Sequence, residues 1–161
     1  SISYGQKYYS TPVGEMNVVK KMKEVNSIVG GEGGGGIIYP ELHYGRDALV
    51  GIALFLALLV DKKCKVSKLK GQYSEYFMKK IKITLEDSNL IDRSFKVIAE
   101  NYSELSPNTE DGVRIDFEDA WVHMRKSNTE PIIRIFAEAN SQDIADSYAL
   151  KIEKEIKSIS A

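Results

Sequence analysis

The chain contains one cysteine, Cys64, in 161 residues. That excludes an intrachain disulfide and sets a reducing compartment as the expectation. The two histidines, His43 and His123, stand far apart in sequence with no Cys/His cluster around them, so no metal site built from soft ligands is expected here. An excess of charge of either sign is also missing. The formal net charge of −1 argues against bulk electrostatic adhesion to nucleic acid and leaves room only for a local basic patch. Nor is there a long apolar run. The longest, ALVGIALFLALLV from Ala48 to Val60, has thirteen residues, against the ~20 a helix needs to cross a bilayer. Asp47 and Asp61 bracket it, and it reads as a buried core helix. The opening residues SISYGQKYYS lack the apolar stretch of a secretory leader. The sequon Asn101-Tyr102-Ser103 is then silent, the cytoplasm is the expected location, and no membrane partner is expected.

What remains is an ordinary globular composition, 43% apolar and 28% charged. The length admits one domain or two small ones. The first half alternates helix and short extended pieces. Val13 to Val25 reads as a helix with Val18, Met22 and Val25 on one face. Ser27-Ile28-Val29 reads as a short strand running into a glycine loop, and Ile37 to Pro40 leaves that loop extended. Asp47 is placed to N-cap the helix from Ala48 to Val60, which is apolar nearly all round and so suggests burial on several sides. Between Val66 and Gln72 the chain turns polar and basic, which marks a linker. Lys62, Lys63, Lys65, Lys68 and Lys70 read as its solvated charges. Beyond it, Lys79 to Leu85 alternates as a half-buried strand, and Leu90 to Asn101 reads as a helix. Asp111-Gly112 is a turn signal before the strand Val113 to Phe117. Ala120 to Met124 and Ile132 to Ala137 are two more strands. Ser141 can cap a final helix whose stripe is Ile144, Ala145, Tyr148, Ile152, Ile156 and Ile159. The expectation is α/β for residues 1–68 and an α+β domain with an antiparallel sheet and helices for 69–161.

Two stretches carry chemistry. Six glycines surround Glu32 in GGEGGGG, Gly30 to Gly36. Bare backbone can take positive φ and approach a ligand closely, and one carboxylate can accept bonds from two adjacent hydroxyls, as on a sugar. The alternative is a flexible surface turn with a solvated charge. The loop is neither a Walker A sequence nor a dinucleotide fingerprint. In RKSNTEPIIR, Arg125 offers a planar fork of donors, Lys126 a point charge if it faces the site, Ser127 and Thr129 hydroxyls, Asn128 an amide, and the turn backbone N–H groups. That donor set suits an anion, above all phosphate. The alternative is a polar hairpin loop. His43, Tyr44 and Arg46 lie near the exit of the glycine loop and could border a ligand. His123 and Trp121 read as hydrogen-bonded and packed residues.

At this point the chain resembles a known family. The wording TPVGEMNVVKKM, GGEGGGGII and GRDALVGIALFLALL resembles the sugar-binding third domain, of α/β/α type, of the α-D-phosphohexomutases. DGVRIDFEDAWVHMRKSNTEPIIRIFAEA resembles their fourth, C-terminal domain, whose phosphate loop reads Arg-x-Ser-Gly/Asn-Thr-Glu-Pro. The resemblance runs from Thr11 to about Ile156. It implies an isomerase that interconverts the 1- and 6-phosphates of a hexose (glucosamine, mannose or glucose) through a phosphoserine and Mg²⁺. Carried over by position, Glu32 with Gly31, Gly33 and Gly34 would hold the sugar, and Arg125, Ser127, Asn128, Thr129 and Arg134 the phosphate. Gly34 and Gly36 stand where relatives carry a serine and a histidine, so two sugar contacts are missing. The family's phosphoserine loop and its Asp-Gly-Asp-Gly-Asp-Arg metal loop are absent from these 161 residues. The resemblance therefore implies that nucleophile and Mg²⁺ ligands lie outside this chain, that its partners are the N-terminal domains of the same polypeptide and a hexose phosphate, and that the chain alone is inactive. A non-catalytic sugar-phosphate-binding module is the alternative. A nucleic-acid-binding domain using Lys62 to Lys82 is disfavoured by the near-neutral charge.

Overall fold

The computed structural model of the chain describes Gly5 and residues 7–84, 88–127 and 130–160. It divides into two compact units, Ser1–Tyr73 and Ser74–Ala161.

In the first unit, α1 (Glu15–Val25) ends at Asn26, whose left-handed backbone (φ 50°) lets its N–H reach the Met22 carbonyl. Its buried Val19 and Met22 meet Ile38 in a small core, with Val18 against them. A three-stranded antiparallel sheet follows in the order β1 (Gly30–Gly31), β2 (Ile37–Tyr39), β3 (His43–Arg46). The strand expected at Ser27 to Val29 is not there. Ser27 instead hydrogen-bonds back to the helix and to Val29, and pairing begins only at Gly30, opposite Ile38. The expected extended piece after the loop is β2, and β3 was not anticipated. Helix α2 (Ala48–Lys62) starts where expected: the Asp47 carboxylate accepts the Val50 N–H at 2.9 Å.

One expectation about α2 fails. No residue of it is buried, and Leu49 and Val60 are 78% and 76% exposed. An all-round apolar helix packs only as far as the neighbours at hand allow. Here Gly51 rides on Ile37, and the other faces stay open. The segment read as a linker contains a short helix, α3 (Val66–Lys70), with Leu69 buried. Lys68 and Lys70 are therefore the wet side of a short helix, while Lys62 ends α2 and Lys63 and Lys65 stand at helix caps.

The second unit carries the larger core. Four strands, β4 (Phe77–Thr84), β5 (Val113–Asp116), β6 (Ala120–Lys126) and β7 (Ile132–Ala139), form an antiparallel sheet in the order β4-β7-β6-β5. Helices α4 (Ser88–Asn101) and α5 (Gln142–Ser160) cover one face. The alternation read from the sequence sets that face. Ile83, Val113, Ile115, Val122, Met124, Ile133, Ile135 and Ala137 turn inward onto Ile91, Ile98, Ala149, Ile152 and Ile156. Burying each such isoleucine contributes about 1.5–3 kcal/mol. Ala145 and Ala149, both fully buried, let α5 lie close. The Ser141 hydroxyl caps α5 at the Ile144 N–H. Phe117 sits between Tyr102 and Tyr148 at ring distances of 5.8 and 4.3 Å, closing one edge of the core. The α/β and α+β class expected from the sequence is the class observed.

Candidate functional site

The two sequence motifs fall in different units, and each has its own geometry. In the first unit the glycine loop is a tight turn. The Glu32 N–H meets the Gly36 carbonyl at 3.0 Å, and the Gly35 N–H meets the Glu32 carbonyl at 2.9 Å. Gly35 takes φ +91°, a conformation that L side chains avoid. A side chain at Gly31 would press its Cβ to 2.8 Å from the Gly36 carbonyl oxygen, so this glycine serves the turn itself. Gly33 and Gly34 border open space, with nothing within 4 Å of an added Cβ. The crown of the loop is bare backbone facing outward.

Glu32 is not the isolated carboxylate the sequence suggests. Its Oε2 lies 3.0 Å from Arg46 Nη1. The same guanidinium donates through Nε to Glu15 Oε2 at 2.9 Å, and the Arg46 N–H donates to Glu15 Oε1 at 3.1 Å. Arg46 thus ties the loop to the first turn of α1. The Arg46 backbone N–H, opposed by partial desolvation and helped by the guanidinium, holds the Glu15 carboxyl below its ordinary range. Gly36 makes this possible. A Cβ there would stand 2.6 Å from Arg46 Cδ, in the path of the side chain. His43 Nε2 sits 3.2 Å from Asp47 Oδ2. The Asp47 carboxyl is lowered first by the Val50 N–H it caps and then by His43. His43 and Arg46 therefore serve neighbouring carboxylates. Tyr44 lies under the Lys23 ammonium, 4.7 Å from the ring centre.

In the second unit, strand register does what sequence spacing alone cannot. Arg125 on β6 and Arg134 on β7 are direct cross-strand partners and share the sheet face turned away from the helices. This settles the orientation of Arg134. Lys126 points the other way and lies 3.5 Å from Asp92 on α4, so it does not join the cluster. Ser127 follows Arg125, but its N–H is engaged by the Ile132 carbonyl at 3.0 Å as a ladder bond and does not contribute to an open nest. Asn128 and Thr129 lie outside the described residues.

Arg125 has an acidic neighbour that the sequence did not reveal. Its Nε is 2.9 Å from Asp111 Oδ2, an ion pair whose angle falls outside a hydrogen bond, and both side chains are partly buried. Asp111 sits on the turn before β5, where Gly112 takes φ +78°. The Asp111 carbonyl also accepts from His123 Nε2 at 2.6 Å. Burial pushes the His123 pKa down, which favours the neutral ring. Arg134 has Glu130 at 3.9 Å. One turn-borne carboxylate lies against the first arginine at Nε, and a guanidinium carries further N–H donors of the kind that pair with anions. Both the Arg46 clamp and the Asp111 contact join residues distant in the chain, and no local pattern signals them.

A cleft of about 350 Å³ lies at the opposite end of the same sheet. Asp116, Glu118, Asp119 and Glu138 line it, and four carboxylates repel a phosphate. Among the described residues no group of three or more His, Cys, Asp or Glu side chains is placed to hold a metal ion. No described helix is long and apolar enough to cross a membrane.

The two units together define a small α/β layer followed by an α+β domain whose sheet bears an arginine pair at one end. Comparison with known proteins says which class this is. The family described as "Phosphoglucomutase/phosphomannomutase, alpha/beta/alpha domain III" matches residues 2–76, and "Phosphoglucomutase/phosphomannomutase, C-terminal domain" matches residues 63–155. A phosphoglucosamine/phosphogalactosamine mutase of Sulfurisphaera tokodaii is 36% identical over 146 residues, covering 89% of this chain and 32% of that protein. A phosphoglucomutase/phosphomannomutase of Thermococcus kodakarensis is 37% identical over 150 residues, with the same coverage of 89% and 32%. The crystal structure of a phosphoglucomutase/phosphomannomutase family protein from Burkholderia thailandensis shares the fold at a TM-score of 0.66 and 23% identity, covering 91% of this chain and 31% of that one. The chain belongs to the phosphoglucomutase/phosphomannomutase family, the α-D-phosphohexomutases. It spans about a third of the length of the curated relatives it matches.

Proposed function

We propose that this chain is the substrate-orienting part of a phosphohexomutase that interconverts the 1- and 6-phosphates of a hexose in the cytoplasm. Glu32, with the bare backbone of Gly31, Gly33 and Gly34 beside it, takes the sugar hydroxyls. Arg46 occupies one carboxylate oxygen and keeps the group aimed, leaving Oε1 and the spare lone pair of Oε2 as acceptors. Arg125, Ser127, Asn128, Thr129 and Arg134 hold the phosphate that does not react. The phosphoserine and the Mg²⁺ donors belong to other domains of a longer polypeptide, and this chain alone turns over no hexose phosphate. Such a division is physically reasonable, because positioning supplies much of the rate in phosphoryl transfer. Glucosamine, mannose and glucose phosphates are the candidate substrates, a class read from the names of the relatives.

The observation that carries the proposal is the outward Arg125–Arg134 pair at the base of the Ser127 to Glu130 loop. Like charges directly opposite each other on a sheet repel; Asp111 and, more loosely, Glu130 offset part of that repulsion, and a bound phosphate would offset more. The test is a titration of the isotope-labelled chain with glucosamine 6-phosphate, followed through amide shifts. Arg125 and Ser127 are expected to respond by millimolar ligand. Silence there would remove the phosphate site from this chain. A non-catalytic sugar-phosphate-binding module gives the same titration. It is distinguished by a coding sequence upstream of Ser1 that carries no phosphoserine loop.

A further inference from the structure

The outward face of the second unit's sheet carries more positive charge than the phosphate motif accounts for. Register places Lys82 of β4 opposite Arg134 of β7, and Arg134 opposite Arg125 of β6. Three cations thus stand side by side across three adjacent strands. All three alternate away from the isoleucines that meet α4 and α5. Adjacent strands lie ~4.8 Å apart, so Lys82 and Arg125 flank Arg134 at roughly one strand spacing on either side. Among the described residues two carboxylates approach the row, Asp111 at Arg125 and Glu130, more loosely, at Arg134. Among the described residues no ion pair engages Lys82. The next outward row offers Lys80, Phe136, His123 and Arg114 and brings no acid beside Lys82.

A sheet that only needed solubility here would alternate signs across the row, since opposite charges on facing strands stabilise and like charges repel. Lys82 and Arg125 are separated by about half of the second unit in sequence, so no loop motif requires both. What unites them is an anion over the middle of the row. A phosphate above Arg134 has Arg125 on one side and Lys82 on the other. The planar fork fixes its orientation, and the flexible ammonium follows it.

We infer that Lys82 is a further phosphate-contacting residue, completing with Arg134 and Arg125 a three-strand anion cradle on the outward face of the sheet. This deepens the phosphate-holding role proposed above and rests on it. The cradle is wider than one side of a phosphate needs. It therefore takes a phosphoryl group that tilts or exchanges between the Arg125 and Lys82 sides while staying on Arg134.

The probe is inorganic phosphate, titrated into the labelled 161-residue chain at low ionic strength, with chloride at matched ionic strength as the blank. Phosphate is expected to shift the Lys82 amide and ammonium signals along with those of Arg125 and Arg134, while chloride shifts none of them. Lys82→Met is expected to weaken phosphate binding roughly threefold, and Lys82→Arg to stay within about twofold of the parent. Lys82→Gln serves as the second neutral variant if Lys82→Met loses its native amide pattern. If Arg125 and Arg134 respond and neither neutral variant changes the affinity, the role of Lys82 is refuted and the phosphate loop stands. If Arg125 does not respond at all, the phosphate-holding reading itself fails, and the cradle with it.

Discussion

Gly112 is the residue on which the geometry of the arginine site most directly depends, and replacing it with alanine tests that geometry. Its φ of +78° is one that L residues reach at a penalty of about 1–2 kcal/mol. The added methyl would also run into the Met124 carbonyl oxygen and come within 3.2 Å of Arg125 Cα. Those neighbours are backbone of β6 held in ladder bonds on both sides, so no side chain can swing away to make room. Strain and clash together give an expected loss of about 2–4 kcal/mol. For a unit of this size each kcal/mol lowers the midpoint by about 4–8 °C, so Gly112→Ala should melt at least ~8 °C below the parent. The assay is favoured by composition. Trp121 is the chain's single tryptophan and lies on β6, so its fluorescence reports the second unit alone. Gly34→Ala, in the first unit and facing open space at ordinary φ, serves as a specificity control and should leave the midpoint read by Trp121 unchanged. A Gly112→Ala loss under about 1 kcal/mol by that fluorescence would refute the close packing of the turn on the Arg125 strand.

Gly36→Ala acts on the other motif. Its Cβ would displace Arg46 from its path to Glu32, and Glu15 would lose the guanidinium while keeping the backbone N–H. The Glu15 carboxyl, held low in the parent, should move part of the way back up toward 4.5 when its carbon signal is titrated. An unchanged titration would show that Arg46 reaches the loop by another path. Tyr102 gives an alkaline prediction. Burial and then Glu155, which accepts its O–H at 2.7 Å, raise its pKa well above the ordinary 10.0. The unfolded tyrosine therefore loses its proton first. The stability this group contributes is whole below pH ~10 and is lost as the pH rises beyond it. The urea midpoint read by Trp121 should fall less steeply between about pH 9.5 and 11 in Tyr102→Phe than in the parent, and equal slopes would refute the assignment.

Local rules made several elements legible. Asp47 before an apolar run marked the start of α2, Ser141 that of α5, and the alternation of Lys79 to Leu85 the strand β4, though Leu85 itself lies outside the described residues. Each depends on residues within a few positions of one another. The failures have a different origin. Ser27 to Val29 has strand composition, but a strand needs a partner, and on that side β2 pairs with Gly30 and Gly31 and reaches no further back. The apolar content of α2 says that it tends to be buried, not that anything lies against it. Lys126 sits beside Arg125 in sequence and on the opposite side of the sheet in space, as a period of two requires.

The glycine loop, the arginine loop and their order along the chain are matters of sequence, because bare backbone and clustered donors have their chemistry wherever they stand. They were enough to bring out the resemblance to the phosphohexomutases. Tertiary structure alone decided which charges act together. Glu32 meets Arg46 and Glu15, Arg125 meets Asp111, and Lys82 and Arg134 come into line with Arg125. Each of these is a contact across strands or between a loop and a helix. Its energy depends on separations of a few ångströms, which residue spacing along the chain does not encode.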